Sequence, residues 1–232
     1  MSRVELLEPR AAYALWVTSY PPHAHNPVMQ AEERAMLALM PSNLRGQSVL
    51  DAGCGSGRYM LHALDRGAAR VTGVDLSVEM LERADKELGA CRHRGEIELV
   101  QGNLESLPAA DASADLTICG LTIGHLDRLH PALADLRRVT RPGGTILCSD
   151  VHPIGHALGW LRDFKSDGRH CAVRHTPHFY SHWHAACASV RLDIVRVLEP
   201  MLDPADIPAN AHFDPLALEV PVALVFQLRR QF

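Results

Sequence analysis

Val49-Leu50-Asp51-Ala52-Gly53-Cys54-Gly55-Ser56-Gly57-Arg58 decides the fold: an apolar run ends in an acid, enters a glycine-rich turn and opens onto helical periodicity from Tyr59 to Arg66. Small residues in such a turn let a ligand touch backbone N–H groups, and the following helix N-terminus favours a negative group. In open α/β sheets, ligands bind outside the carboxyl ends of the strands, which makes this turn a site. The turn alone does not name its ligand, because dinucleotide-binding proteins use the same physics. Their G-x-G-x-x-G fingerprint requires glycine at position 58, where this chain has Arg58; the glycines here stand at 53, 55 and 57.

Outward from this stretch, strand and helix patterns alternate, the order that builds a parallel sheet with helices on both faces. Ser48 to Ala52, Arg70 to Asp75, Ile97 to Gln101, Leu116 to Cys119 and Thr145 to Asp150 read as successive strands. Val78 to Leu88 reads as a helix opened by Ser77 and closed by Gly89, and Pro131 to Thr140 as another. Arg141-Pro142-Gly143-Gly144 reads as a sharp turn. After Asp150 a stretch rich in His, Pro and Gly runs to about Tyr180, followed by a helix over Ser181 to Ser189 and strands at Leu192 to Leu198 and Val220 to Leu228. Residues before Gly46 read as helix, turn, helix.

Composition bounds the function. The chain has 232 residues, 47% hydrophobic and 22% charged, enough for one substantial core. A formal net charge of -4, with acids and bases interspersed, provides no field to collect polyanions, so nucleic acid is not expected as a partner. No basic segment followed by an apolar one opens the chain, and no apolar run approaches the roughly 20 residues that span a bilayer; a cytoplasmic protein without a membrane partner is expected. Cys54, Cys91, Cys119, Cys148, Cys171 and Cys187 form no C-x-x-C pair and read as reduced structural residues.

Two further signals follow the glycine turn. In Val71-Thr72-Gly73-Val74-Asp75-Leu76-Ser77 a second apolar strand ends in a carboxylate, placed to accept from both ribose hydroxyls of a nucleoside cofactor, whether NAD or another. Val100-Gln101-Gly102-Asn103-Leu104-Glu105-Ser106-Leu107-Pro108 places a short polar side chain just after the third strand. Together with Arg141-Pro142-Gly143-Gly144, these residues resemble the class I S-adenosylmethionine (SAM)-dependent methyltransferases, in particular the group acting on small molecules. The resemblance covers roughly residues 48 to 152.

The resemblance implies SAM as cofactor and roles by position. Gly53, Cys54 and Gly55 would line its methionine part, Asp51 would anchor the turn and reach toward its amino group, and Asp75 would hold the ribose. Leu76 and Met80 would pack on the adenosine, with Asn103 and Leu104 meeting the adenine. The family usually has Asp where Asn103 stands; the amide oxygen still accepts a hydrogen bond, though a weaker one than a carboxylate.

The acceptor is sought from the fourth strand onward. Asp115 to Leu126 lacks the [N/D]-P-P-[Y/F] clamp carried by methyltransferases of nucleobases and amide side chains, which points to a small-molecule acceptor. His125, just beyond that strand, reads either as a base for a protonated acceptor or as a histidine tied within its loop. His152, directly after the fifth strand, is expected to flank the acceptor with His125, and His178 to join them from the inserted segment. That segment also carries His156, His170, His175, His182 and His184, but neither H-E-x-x-H nor a Cys/His finger spacing, so no metal is expected. Tyr13, Tyr20, His25 and Asn26 mark the N-terminal turn as a lid or as a plain cover of the sheet edge. Trp16, Trp160, Phe164, Phe179 and Trp183 read as an apolar acceptor pocket or as core.

The expected architecture is a doubly wound α/β domain with a seven-stranded, mostly parallel sheet: an N-terminal helical lid over residues 1–45, then a SAM-binding domain over 46–232 with an insertion at 151–190 contributing to the acceptor pocket. The expected reaction is methylation of oxygen, nitrogen or carbon, with oxygen preferred by similarity to quinone and carboxylate methyltransferases. The alternatives are a noncatalytic SAM-binding accessory protein and an NAD-dependent oxidoreductase, the latter disfavoured by Arg58.

Overall fold

A computed structural model describes residues 4–208 and 215–232. In chain order the elements are β1 (Glu5–Leu7), α1 (Pro9–Trp16), α2 (Pro27–Leu39), β2 (Ser48–Ala52), α3 (Arg58–Asp65), β3 (Arg70–Asp75), α4 (Val78–Leu88), β4 (Glu96–Gln101), β5 (Ala114–Gly120), α5 (Leu129–Val139), β6 (Thr140–Val151), α6 (Pro153–Ala157), β7 (Asp163–Ser166), β8 (Arg169–Val173), α7 (Tyr180–Ser189), β9 (Leu192–Leu198) and β10 (Ala223–Arg230).

Seven strands form one sheet in the order β4-β3-β2-β5-β6-β10-β9. The β2, β3, β4, β5 and β6 pairings are parallel, and β10 runs antiparallel to both β6 and β9. This is the expected doubly wound, mostly parallel sheet. Its strands are apolar because both faces are covered. On one face Met36 of α2, Met60 of α3 and Leu81 of α4 pack together with Val49 and Ile118. On the other, Leu133 and Leu136 of α5 meet Trp183 of α7, which stacks on Phe226 of β10 at 4.3 Å between ring centroids. Burying each such large apolar side chain contributes about 1.5–3 kcal/mol.

Local signals set the helix starts. Asn26 Oδ1 accepts from Met29 N–H at 2.9 Å ahead of Pro27, and Ser77 Oγ accepts from Met80 N–H at 3.2 Å. The Arg141–Gly144 stretch, expected as a turn, lies inside β6. There the pairing with β5 slips, Thr140 standing opposite Ala114 but Thr145 opposite Leu116, and Gly143 takes a φ of 75°.

A second sheet was not expected. The inserted stretch after β6 folds into the β7–β8 hairpin, and β1 joins it in parallel, Glu5 opposite Cys171 and Leu7 opposite Val173. The N-terminal segment and the insertion thus share one three-stranded cap. Beneath it Ala12, Trp16, Tyr20, Met29, Phe164 and Val173 form a third apolar cluster, Trp16 stacked on Phe164 at 4.7 Å.

Candidate active site

Above the carboxyl ends of β2, β3, β4 and β5, under the cap, lies a cavity of about 300 Å³. Its floor is the glycine turn. Gly53, Gly55 and Gly57 all take positive φ (79°, 53° and 86°), which favours glycine at each. At Gly53 a side chain is excluded twice over, since a Cβ would lie 2.3 Å from Thr122 Cγ2. Asp75, at the end of β3, accepts from Gly55 N–H at 2.8 Å and from Ser77 N–H at 2.9 Å. Burial raises its pKa, with those backbone donors opposing.

Asp51 is 1% exposed, and its Oδ2 has no hydrogen-bond partner among the described residues. Burial pushes it up to about 7; Arg58 opposes the shift, and Asp75 and Glu32 add to it. A buried carboxylate oxygen without a donor costs about 1–3 kcal/mol, so this atom in a cavity wall is a seat for a cationic or N–H-bearing ligand group.

Every residue expected to meet the cofactor lines this cavity: Asp51, Gly53, Cys54, Gly55, Asp75, Leu76, Met80, Asn103 and Leu104. Asn103 Oδ1 already accepts from Glu105 N–H at 3.0 Å, which leaves its second lone pair for an adenine amino group. Tyr13, Tyr20 and His125 line the same space from the cap and the β5 edge.

The three expected catalytic histidines do not converge. His125 reaches the cavity; its Nδ1 donates to the Arg174 carbonyl at 3.3 Å, so its Nε2 accepts from the Tyr13 hydroxyl at 3.0 Å. Burial pushes His125 down to about 3, keeping the imidazole neutral. His152 and His178 line neither this cavity nor its neighbour. His152 caps α6, its Nδ1 accepting from Ile154 N–H at 3.2 Å and its Nε2 facing Glu199 at 3.3 Å. His178 Nε2 donates to the Leu126 carbonyl at 2.9 Å. Both imidazoles are spent on tying loops to the sheet edge. Among the described residues no three His, Cys, Asp or Glu side chains come together as a metal-holding group.

Sequence reasoning missed a wall residue, Arg162, and a buried support of the wall, Glu32. Glu32, fully buried on α2, accepts from Tyr59 Oη at 2.6 Å and from Ser149 Oγ, and pairs with Arg58 at 3.0 Å, locking α2 to the start of α3. Arg162, between α6 and β7, donates from Nη1 to the Leu121 carbonyl at 2.8 Å and adjoins a second cavity of about 810 Å³. Trp16, Trp160 and Phe164 line that second cavity, whereas Trp183 is core and Phe179 is exposed. Arg162 sits as a lone cation among aromatics in Trp160-Leu161-Arg162-Asp163-Phe164, the one sequence signal that marks it.

A sheet in this order, with a glycine turn after its first strand and a carboxylate closing the next, is the Rossmann-like methyltransferase fold. Residues 50–148 match the family described as "Methyltransferase domain", and this match together with the solved structures of like fold is that of a class I SAM-dependent methyltransferase. It is 36% identical over 174 residues to a malonyl-[acyl-carrier protein] O-methyltransferase of Pectobacterium atrosepticum, covering 73% of this chain and 63% of that one. Among solved structures it resembles a SAM-dependent methyltransferase from Mesorhizobium loti, with a TM-score of 0.67, 25% identity and coverage of 86% of this chain and 98% of that one. A Listeria monocytogenes structure shares the fold at a TM-score of 0.70, with 18% identity and coverage of 88% and 98%. The chain spans 49% to 64% of the length of four curated relatives that it matches. The cofactor of this family is SAM, and the cavity fits it, since the buried Asp51 oxygen, without a partner among the described residues, offers an acceptor for a cationic amino group. No helix among the described residues is long and apolar enough to cross a membrane.

Proposed function

We propose that this chain transfers the methyl group of SAM to a small-molecule acceptor, with oxygen the favoured atom. The observation that carries the reading is the unsatisfied Asp51 carboxylate, buried beside Asp75 in a capped cavity whose floor is bare glycine backbone. When bound, SAM supplies an electrophilic methyl carbon on a sulfonium, so an acceptor lone pair gains the methyl while the carbon–sulfur electron pair stays on sulfur.

The protein's part is alignment and exclusion of water. Asp51 takes the amino group of the cofactor and Asp75 its ribose, Leu76, Met80 and Leu104 enclose its base, and Gly53 and Gly55 keep the floor clear of side chains. Tyr13 and Tyr20 close the cavity from the cap. His125, neutral and occupied by Tyr13, acts by fixing that phenol rather than by taking a proton. The second cavity adjoining this one supports catalysis over mere SAM binding, since it provides room for an acceptor. The likeness to malonyl-[acyl-carrier protein] O-methyltransferases supports oxygen as the atom methylated. Six free, buried cysteines fit a cytoplasmic site of action.

Isothermal titration with SAM and, separately, with NAD tests the reading, with Asp75→Ala as control. Saturable SAM binding lost in the variant supports it, and release of S-adenosylhomocysteine with an acceptor completes it. Binding of NAD instead, or of neither, removes it.

A further inference from the structure

We infer that the acceptor is a carboxylic acid with an apolar body, bound as its anion, and that Arg162 holds the charge. The inference rests on the methyl-transfer reading above and adds the class of substrate.

Arg162 stands in the wall between the two cavities, lining both together with Pro21, Met29 and Leu121. A guanidinium carries five N–H donors and stays charged at any physiological pH. One donor is committed to the Leu121 carbonyl at 2.8 Å and another engages the Tyr20 side chain. The guanidinium carbon lies 5.5 Å from the centre of the Tyr13 ring. Among the described residues no carboxylate forms an ion pair with it. Arg58, in the wall of the same cavity, shows the contrast: Glu32 and Glu33 neutralise it at 3.0 and 3.1 Å. Asp150 acts on Arg162 only from a distance, and its Oδ1 already accepts from His175 and from Val151 N–H. Burial makes a cation costly to leave without an anion, a cost that the Tyr13 ring offsets only in part, and the planar fork of the guanidinium matches a carboxylate.

Position separates this cation from the cofactor's seat. Leu121, which fixes it, follows the end of β5 in a left-handed conformation with φ 53°, directly before Thr122 and close to His125. Arg162 therefore faces the β5 edge and the second cavity, while the residues expected to hold SAM end β2, β3 and β4. The second cavity supplies the apolar room, walled by the stacked Trp16 and Phe164 with Trp160 and Leu161. The proton balance agrees. Methylating a carboxylate releases no proton, and His125, the imidazole in the first cavity's wall at the β5 edge, already has its Nε2 taken by Tyr13.

The test is calorimetric. Wild-type protein is titrated with SAM and then, saturated with S-adenosylhomocysteine, with benzoate, cinnamate and octanoate, each against its own amide. At least one acid is expected to bind about tenfold or more tightly than its amide, a factor typical of a charge-assisted pair. Arg162→Gln should lose that difference while keeping the wild-type affinity for SAM, and Arg162→Lys should keep part of it. The amide comparison in the wild type needs no variant to fold. If no acid binds, if acids and amides bind alike, or if the difference survives in Arg162→Gln, the inference is overturned. If Arg162→Gln loses SAM itself, the guanidinium holds the cofactor's own carboxylate; the inference then fails and the methyl-transfer reading stands. Wild-type protein that does not bind SAM removes both.

Discussion

Asp150 and His175 form an interior pair across the backbone of Gly124: His175 Nε2 donates to Asp150 Oδ1 at 2.9 Å, and a Cβ built on Gly124 would lie 2.0 Å from that nitrogen and 2.6 Å from that oxygen. Glycine at 124 is thus a condition of the pair, although its φ is ordinary. Gly124→Ala should drive the two side chains apart at a cost of about 1–3 kcal/mol, the usual penalty of overpacking. Losing the bond also leaves Asp150, whose Oδ2 has no partner among the described residues, with Val151 N–H as the one remaining donor to Oδ1. Urea unfolding of the variant against wild type measures the loss; a change below about 0.5 kcal/mol would show that the pair moves aside freely.

Asp51 makes the free protein sensitive to pH in a definite direction. Its folded pKa of about 7 lies above the unfolded value, so between roughly pH 4 and 7 the folded state binds more protons. Stability contributed by the protonated carboxyl is therefore lost as pH rises through that window. Asp51→Asn removes the loss and should raise the melting temperature of the ligand-free protein more at pH 8 than at pH 5, with a ceiling of about 4 kcal/mol. The same substitution should weaken SAM binding and flatten its pH dependence, which in the wild type strengthens from pH 5.5 to 7.5 as Asp51 ionises. Parallel calorimetric titrations decide it: an equal pH slope in both proteins separates Asp51 from the ligand.

How far the molecule was legible follows the range of the signals. The β2 turn, the Asp75 strand end and the Ser77-capped helix are written within a few consecutive residues, and each stands where the sequence placed it. The pairing of β1 with β8 joins Glu5 to Cys171, and no local pattern announces a partner so remote. The β6 slip was hidden because Pro142-Gly143-Gly144 reads identically as a turn and as a bulge. At the site, the residues expected to meet the cofactor come together in one cavity because backbone geometry dictates their places. The histidines do not: proximity to a strand end fixes where His152 sits but not where its ring turns, and it turns to cap Ile154. Arg162 has meaning only once the hairpin carries it to the Leu121 carbonyl.

Glu32 should prove the most costly polar residue to remove from α2. It accepts from Tyr59 and Ser149 and neutralises Arg58, all in the interior. Glu32→Ala leaves Arg58 with only Glu33, and breaking a buried pair by removing one partner costs about 3–5 kcal/mol. Glu32→Gln keeps the shape and one acceptor oxygen and should lose less. Thermal unfolding of both variants checks the ranking, and equal losses would assign the effect to packing instead of charge.

His125 offers a direct spectroscopic reading. Its folded pKa of about 3 lies below the unfolded one, so under acid conditions the unfolded chain binds the extra proton. The neutral imidazole therefore contributes stability that is present above the ordinary histidine pKa near 6.5 and is lost as pH falls from there toward 3. Nitrogen-15 shifts of the labelled ring should stay those of a neutral imidazole with the proton on Nδ1 from pH 8 down to pH 5, as donation to the Arg174 carbonyl requires. Tyr13→Phe removes the hydroxyl that Nε2 accepts from and should move that nitrogen's shift without protonating it. His125→Asn should flatten the decline of stability below pH 6.5. A ring that titrates near 6.5 in the folded protein would instead make His125 available as a base and would reopen hydroxyl acceptors for this site.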